Sequence, residues 1–183
     1  MFNRNIRRAA IASASALTLG LGAAVWATSA SAASAAPATS TPRCTAADLS
    51  VWVNVGEANG AAGTIYYPLE FTNVSNHTCR VRGYPGVSAT SATGKQLGDA
   101  AGRQGIWPPA WVNIVAGGTV HALFGYGAAE VSTSNCKPKT ASFLKVFAPN
   151  QTSALHAFFD YQSCTSSHHP YLFVSVIRPG SAI

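Results

Sequence analysis

From residue 51 onward, apolar side chains recur at every second position. Val51, Val53 and Val55 alternate with Trp52 and Asn54, and Ile65, Tyr67, Leu69 and Phe71 alternate with Tyr66, Pro68, Glu70 and Thr72. Successive side chains of an extended chain point to opposite faces, so each run predicts a strand with one buried face. The pattern continues at Val112 and Ile114, at Val120, Ala122, Phe124 and Tyr126, at Leu144 and Val146, and at Leu155, Ala157 and Phe159. Tyr171 to Ile177 is almost wholly apolar and reads as a central strand covered on both faces. Helical periodicity is sustained nowhere in this region, and only Leu97 to Gln104 offers a helical turn. Asn59-Gly60 through Gly63, Ser75-Asn76, Thr93-Gly94-Lys95, Gly117-Gly118 and Pro149-Asn150 separate the runs. Their glycines and asparagines supply the positive φ that tight hairpins need. Eight or nine short strands at this spacing predict an all-β fold, an antiparallel, immunoglobulin-like β-sandwich. Pro68 has no N–H to give to a ladder, which places its strand at a sheet edge or at a bulge.

The first residues follow a different logic. Arg4, Arg7 and Arg8 precede an apolar stretch from Ala9 to Ala27, and small-residue sites follow at Ala30-Ser31-Ala32 and Ala33-Ser34-Ala35. A basic head, an apolar middle and an A-x-A tail describe a secretory signal peptide over residues 1–32, cleaved after Ala32 or Ala35. The competing reading is an uncleaved membrane anchor, against which Ser13, Ser15 and Thr18 dilute the stretch. Residues 33–43, rich in Ala, Ser, Thr and Pro, read as a short tail, and 44–183 as a single domain. The expected mature protein is released, without a stable membrane span, and monomeric.

Cleavage removes three of the twelve Lys and Arg residues, leaving nine against six acidic residues and a net charge of +3. These read as scattered, with Arg80/Arg82 and Lys137/Lys139 as local pairs, so no nucleic acid is expected as partner. Cys44, Cys79, Cys136 and Cys164 all follow the leader, in a compartment that permits disulfides. Four cysteines allow three connectivities. Cys44 with Cys79 and Cys136 with Cys164 is favoured, because each bridge then staples one half of the domain and contributes about 3 to 4 kcal/mol.

The stretch Cys79-Arg80-Val81-Arg82-Gly83-Tyr84-Pro85-Gly86-Val87 places Val81 toward the core and Arg80 and Arg82 toward water, as charges protecting a sheet edge. Gly83, Tyr84, Pro85 and Gly86 form a corner, fixed by a buried tyrosine whose hydroxyl bonds nearby backbone. Asn73-Val74-Ser75 and Asn76-His77-Thr78 match a glycosylation pattern but read as turn residues.

Together these pieces resemble the actinobacterial secreted domain of unknown function 4232 family. The resemblance rests on Cys44 with Leu49; Tyr67-Pro68-Leu69-Glu70-Phe71-Thr72-Asn73; Cys79 with Gly83-Tyr84-Pro85-Gly86-Val87; Gly117-Gly118-Thr119; Cys136-Lys137-Pro138; Val146 with Pro149; and Cys164. It spans Cys44 to about Pro179 and implies secretion and fold but no activity. Many members look like lipoproteins, whereas this chain has no suitably placed lipid-accepting cysteine.

Catalytic patterns are missing from the sequence. There is no G-x-S-x-G, no glycine-rich phosphate loop, and no motif around Asp48, Glu57, Glu70, Asp99, Glu130 or Asp160. Ser153, His156 and Asp160 supply triad residue types without a triad's geometry. His77, His121, His156, His168 and His169 show no ligand spacing, so neither metal nor cofactor is expected. The stronger lead is aromatic. Trp107-Pro108-Pro109-Ala110-Trp111 holds two large rings on a stiff connection, and rigid aromatics suit recognition surfaces. The bland alternative is that these rings close one end of the core.

The expected function is therefore a non-catalytic module binding an extracellular or envelope ligand, through Trp107, Trp111 and Tyr126. A second reading is a small-molecule carrier with an apolar pocket between the sheets, lined by Phe124, Phe143, Phe147 and Tyr126. A third, with least support, is an envelope hydrolase, which requires a buried carboxylate or histidine at a cleft.

Overall fold

Alternation sets which side chains each strand buries, and the pairing of strands decides what they are buried against. The computed structural model describes residues 40–127, 136–165 and 171–181, all within the unit Thr39–Ile183. The expected leader and its cleavage positions, most of the tail, Glu130, His168 and His169 lie outside the described residues.

Strands are numbered in chain order. A seven-stranded sheet holds β1 (Leu49–Val53), β2 (Asn59–Ala61), β3 (Thr64–Asn73), β7 (Gly102–Arg103), β9 (Thr119–Gly127), β12 (Leu172–Val174) and β13 (Arg178–Pro179). Its main path runs β1-β3-β9-β12-β7, with β2 beside β3 and β13 beside β9. A four-stranded sheet runs β11 (Ala154–Cys164), β10 (Pro138–Phe147), β5 (Gly86–Thr90) and β6 (Gln96–Leu97). A two-stranded ribbon pairs β4 (Cys79–Val81) with β8 (Val112–Ile114). The fold is all-β and sandwich-like. Its thirteen strands among the described residues exceed the eight or nine expected, mostly through two- and three-residue pieces such as β2, β6, β7 and β13, too short to alternate recognisably. Pairing is antiparallel except that β12 and β7 run parallel.

The two large sheets meet through aromatic rings. Tyr67 on β3 and Phe124 on β9 both lie edge-on to Phe159 of β11, with centroids 4.8 and 5.9 Å apart, and Tyr126 meets Tyr161 at 5.0 Å. Phe71, Leu69 and Leu144 are fully buried around them. Removing such side chains from water is the main drive to fold, at about 1.5 to 3 kcal/mol each. Two disulfides, Cys44–Cys79 and Cys136–Cys164, close local loops. At the second bridge the chain comes so near that a Cβ on Gly98, where φ is +66°, would sit 2.2 Å from the Cys164 carbonyl oxygen. Only glycine fits there.

Several local expectations are corrected. The first strand stops at Val53, and Val55 begins a short 3-10 turn (Val55–Glu57) with its side chain exposed. Leu97 to Gln104 forms no helix; it contributes to β6 and β7. Pro68 sits in a strand flanked on both sides, because β9 pairs with all of Thr64 to Thr72 while the other side is shared. There β2 covers Thr64 to Tyr66 and β1 covers Leu69 to Asn73. The Pro68 carbonyl on that side accepts the Asn54 N–H at 2.9 Å. Its missing N–H therefore falls where one partner strand gives way to the next, and no ladder bond is lost. Tyr171 to Ile177 is almost entirely buried as expected, but only Leu172–Val174 is strand. Ser175 ends it by accepting the Leu123 N–H on its own hydroxyl at 2.9 Å.

Candidate binding surface

The ribbon shows how period two builds a surface. Cys79 pairs with Ile114, Arg80 with Asn113 and Val81 with Val112. Cys79, Val81, Val112 and Ile114 all turn into the core. The intervening Arg80 and Asn113, followed by Arg82 and preceded by Trp111, must then face outward. On the other side of β4 the chain before Cys44 runs parallel, with Arg43 bridged to Arg80. The Cys44 N–H donates to the Arg80 carbonyl at 3.0 Å and the Arg80 N–H to the Pro42 carbonyl at 2.9 Å. β4 is thus covered on both sides. Arg80 and Arg82 guard no open edge, contrary to expectation.

Their destination is Trp111. The guanidinium carbons of Arg80, Arg43 and Arg82 stand 4.4, 5.2 and 6.0 Å from the centre of the Trp111 ring. Trp111 remains 40% exposed, so it does not close the core. Each stacked cation gains about 0.5 to 2 kcal/mol from the indole face, which offsets the repulsion of three like charges. Guanidinium is more weakly hydrated than ammonium, and its planar form stacks readily on an aromatic face. None of the three arginines forms an ion pair with a described residue; the described pair is His77 with Asp48 at 3.9 Å. Arg80 Nε is sealed from solvent and has no hydrogen-bond partner among the described residues. The surface is consequently a concentration of positive charge and unspent donors.

The theme repeats nearby. Arg178 stacks on half-buried Trp107 at 4.4 Å and Arg103 on Tyr84 at 5.5 Å. All five arginines among the described residues therefore lie over aromatic rings. Between the two tryptophans, Pro108, Pro109 and Ala110 are exposed.

Other expected site residues lie elsewhere. Tyr126 is a core residue, 8% exposed, whose hydroxyl donates to the Gln162 carbonyl at 2.7 Å. It offers nothing to a ligand, because its strand directs it between the sheets. Burial raises the hydroxyls of Tyr126, Tyr161 and Tyr171 above the ordinary tyrosine range, so they stay neutral. Among the described residues, the four side chains expected to line an inter-sheet pocket do not share a face. Phe124 and Tyr126 face inward, but Leu144 and Val146 take the core face of β10, which turns Phe143 and Phe147 to the other side. Phe143 packs there on exposed Phe158. A groove of about 400 Å³ lies instead beside β2 and β3, lined in part by Glu57, Asn59, Tyr66 and Pro68. Glu70 is completely buried on β3, paired in register with His121, and neither lines that groove.

The corner around Gly83, Tyr84, Pro85 and Gly86 also differs in its fastening. Tyr84 is only half-buried, and its hydroxyl bonds no described residue. The turn is carried by Gly83, at φ +113°, whose carbonyl accepts the Ile177 N–H at 3.0 Å. At the preceding turn, the buried Asn73 amide donates to the His77 and Ile114 carbonyls at 2.8 and 2.9 Å. Asn73 Oδ1 accepts from the Ser75 N–H and hydroxyl, which positions the approach to Cys79. Beside Cys44, the Thr45 N–H and hydroxyl donate to Asp48 at 2.7 and 2.8 Å, holding that carboxyl below its usual range.

Arg43 is the residue that sequence reading misses, because composition assigns it to the tail. A signal exists, since Cys44 and Cys79 each have an arginine neighbour and a bridge between them brings Arg43 and Arg80 together.

The family model described as Domain of unknown function (DUF4232) matches residues 44–175. No curated protein matches the chain, and no solved structure does.

Proposed function

This chain belongs to the domain of unknown function 4232 family, and we propose that it is a non-catalytic binding module working outside the cell or at its envelope. The observation that carries this reading is the exposed Trp111 ring under three arginines that no described carboxylate neutralises. Such a surface costs solvation and repulsion, and tryptophan and arginine are the residues most enriched at the energetic centres of interfaces. Export from an actinobacterial cell through the leader over residues 1–32 fits the two disulfides, which persist in oxidising compartments. Among the described residues no helix is long and apolar enough to cross a membrane. We take the mature protein to be a monomer. Its three-arginine cluster and the separate single-arginine stacks do not make the extended basic stripe of nucleic-acid binders.

The test is retention of the mature protein on cell-envelope material from its source organism, compared with Trp111→Ala and Trp107→Ala. Removing a ring at the centre of an interface lowers affinity at least about 10-fold. Retention unchanged in both variants would place the partner on another face and end this reading of the site.

A further inference from the structure

We infer that the arginine cluster on Trp111 recognises a phosphate group. This deepens, and rests on, the reading of that surface as the binding site. Three features select the chemistry. First, Arg43, Arg80 and Arg82 converge on one ring with no described carboxylate paired to them, so the cluster attracts anions. Second, guanidinium presents a planar fork of donors that matches oxyanions. A carboxylate has two oxygens and one charge, which a single fork satisfies. Three converging forks suit a group with more oxygens and more charge, as phosphate has. Third, Arg80 Nε–H lies sealed beside the indole without an acceptor. Leaving such a donor unpaired is unfavourable, and an oxyanion that draws the guanidinium round to itself recovers the loss.

Backbone contacts make the cluster a prepared arrangement. Arg43 is locked to Arg80 through hydrogen bonds on both sides of the bridge and through the Cys44–Cys79 disulfide. Arg80 and Arg82 share a face by strand period. The second stack, Arg178 on Trp107, lies four residues along the proline-rich connection, within about 14 Å of contour length. A chain of phosphodiesters can reach both stacks, whereas a lone phosphate reaches one.

The experiment follows the Arg80 Nε–H resonance by proton–nitrogen NMR while the disulfide-intact mature protein is titrated with inorganic phosphate, glycerol 3-phosphate, poly(glycerol phosphate) and poly-glutamate. The expected result is a shift of that resonance with each phosphate probe. Binding weakens at least about 10-fold in Arg82→Gln and Arg43→Gln, both at exposed positions, and falls steeply with added salt. If the natural source is polymeric, poly(glycerol phosphate) binds about 100-fold tighter than the monoester; comparable affinities make the source a small phosphoester. An unmoved resonance, unchanged affinity in the arginine variants, or poly-glutamate binding as tightly as poly(glycerol phosphate) would overturn the assignment. Should phosphate fail while envelope retention still depends on Trp111, the inference is wrong and the binding reading stands. Phosphate binding without envelope retention means the converse: the cluster takes phosphate, and the envelope is not its source.

Discussion

The inter-sheet core and the β4–β8 ribbon use the same rings for opposite ends. Between the sheets, Tyr67 and Phe124 meet Phe159 edge to face and Tyr126 meets Tyr161 in the same way, and their free energy comes from leaving water. On the ribbon, Trp111 stays in water and meets three arginines. The first arrangement is neutral and closed; the second is charged and open. Stability is concentrated where the rings have one another, and recognition where a ring holds charge toward solvent.

The sharpest way to break this comparison is to empty each site in turn. Phe124→Ala leaves a cavity between the sheets and lowers unfolding stability by about 3 to 5 kcal/mol, measured as a drop in the denaturant midpoint. A loss under about 1 kcal/mol would mean that the sheets are less tightly packed than their ring contacts imply. Next comes the covalent support of the ribbon. Replacing Cys44 and Cys79 together by serine frees a 35-residue separation in the unfolded chain and removes about 3 to 4 kcal/mol. A phosphate titration of the folded variant should show weaker binding, since only backbone hydrogen bonds then tie Arg43 to Arg80. Trp111→Ala should lower stability by about 1 to 2 kcal/mol, well below the loss at Phe124, because the exposed arginines it frees can move apart in water. A loss comparable to that of Phe124→Ala would make Trp111 a structural ring and dissolve the contrast.

A smaller effect is expected at Asp48, beside the Cys44–Cys79 bridge. Its folded carboxyl is held below the ordinary value of 3.8, chiefly by the Thr45 backbone N–H and then by the Thr45 hydroxyl. A depressed carboxylate contributes fully above its unfolded value, and the contribution is lost as pH falls through the lowered folded value. Asp48→Asn should therefore flatten the acid limb of a stability profile taken from about pH 6 down to about pH 2, and reduce neutral-pH stability by less than about 1 kcal/mol. An acid limb identical to the parent's would show that another group governs it.

Much of the architecture can be read locally, and the failures have physical causes. Val51, Leu69, Phe71, Val120 and Leu144 alternate and are buried accordingly, because strand geometry imposes period two on neighbours in sequence. The position of Phe143 is legible too: it is one residue out of phase with Leu144 and Val146, which places it outside the core. Pro68 is not legible, since the place where its missing donor does no harm depends on β2 and β1 meeting on one side of β3. Tyr84 reads as a buried corner because the sequence names a tyrosine beside glycines, whereas the Ile177 N–H that fastens the corner comes from far along the chain.

The sequence by itself determined the all-β class, the faces of the long strands and the candidate pairs of cysteines, all consequences of local periodicity and spacing. Tertiary structure alone decided that β1 and β2 meet beside Pro68, that the Ile177 N–H fastens the corner at Gly83, and that Arg43 joins Arg80 and Arg82 on Trp111. Those outcomes depend on which strands lie side by side. Hydrogen bonds and disulfides between distant segments set that order, and no residue's immediate neighbours encode it.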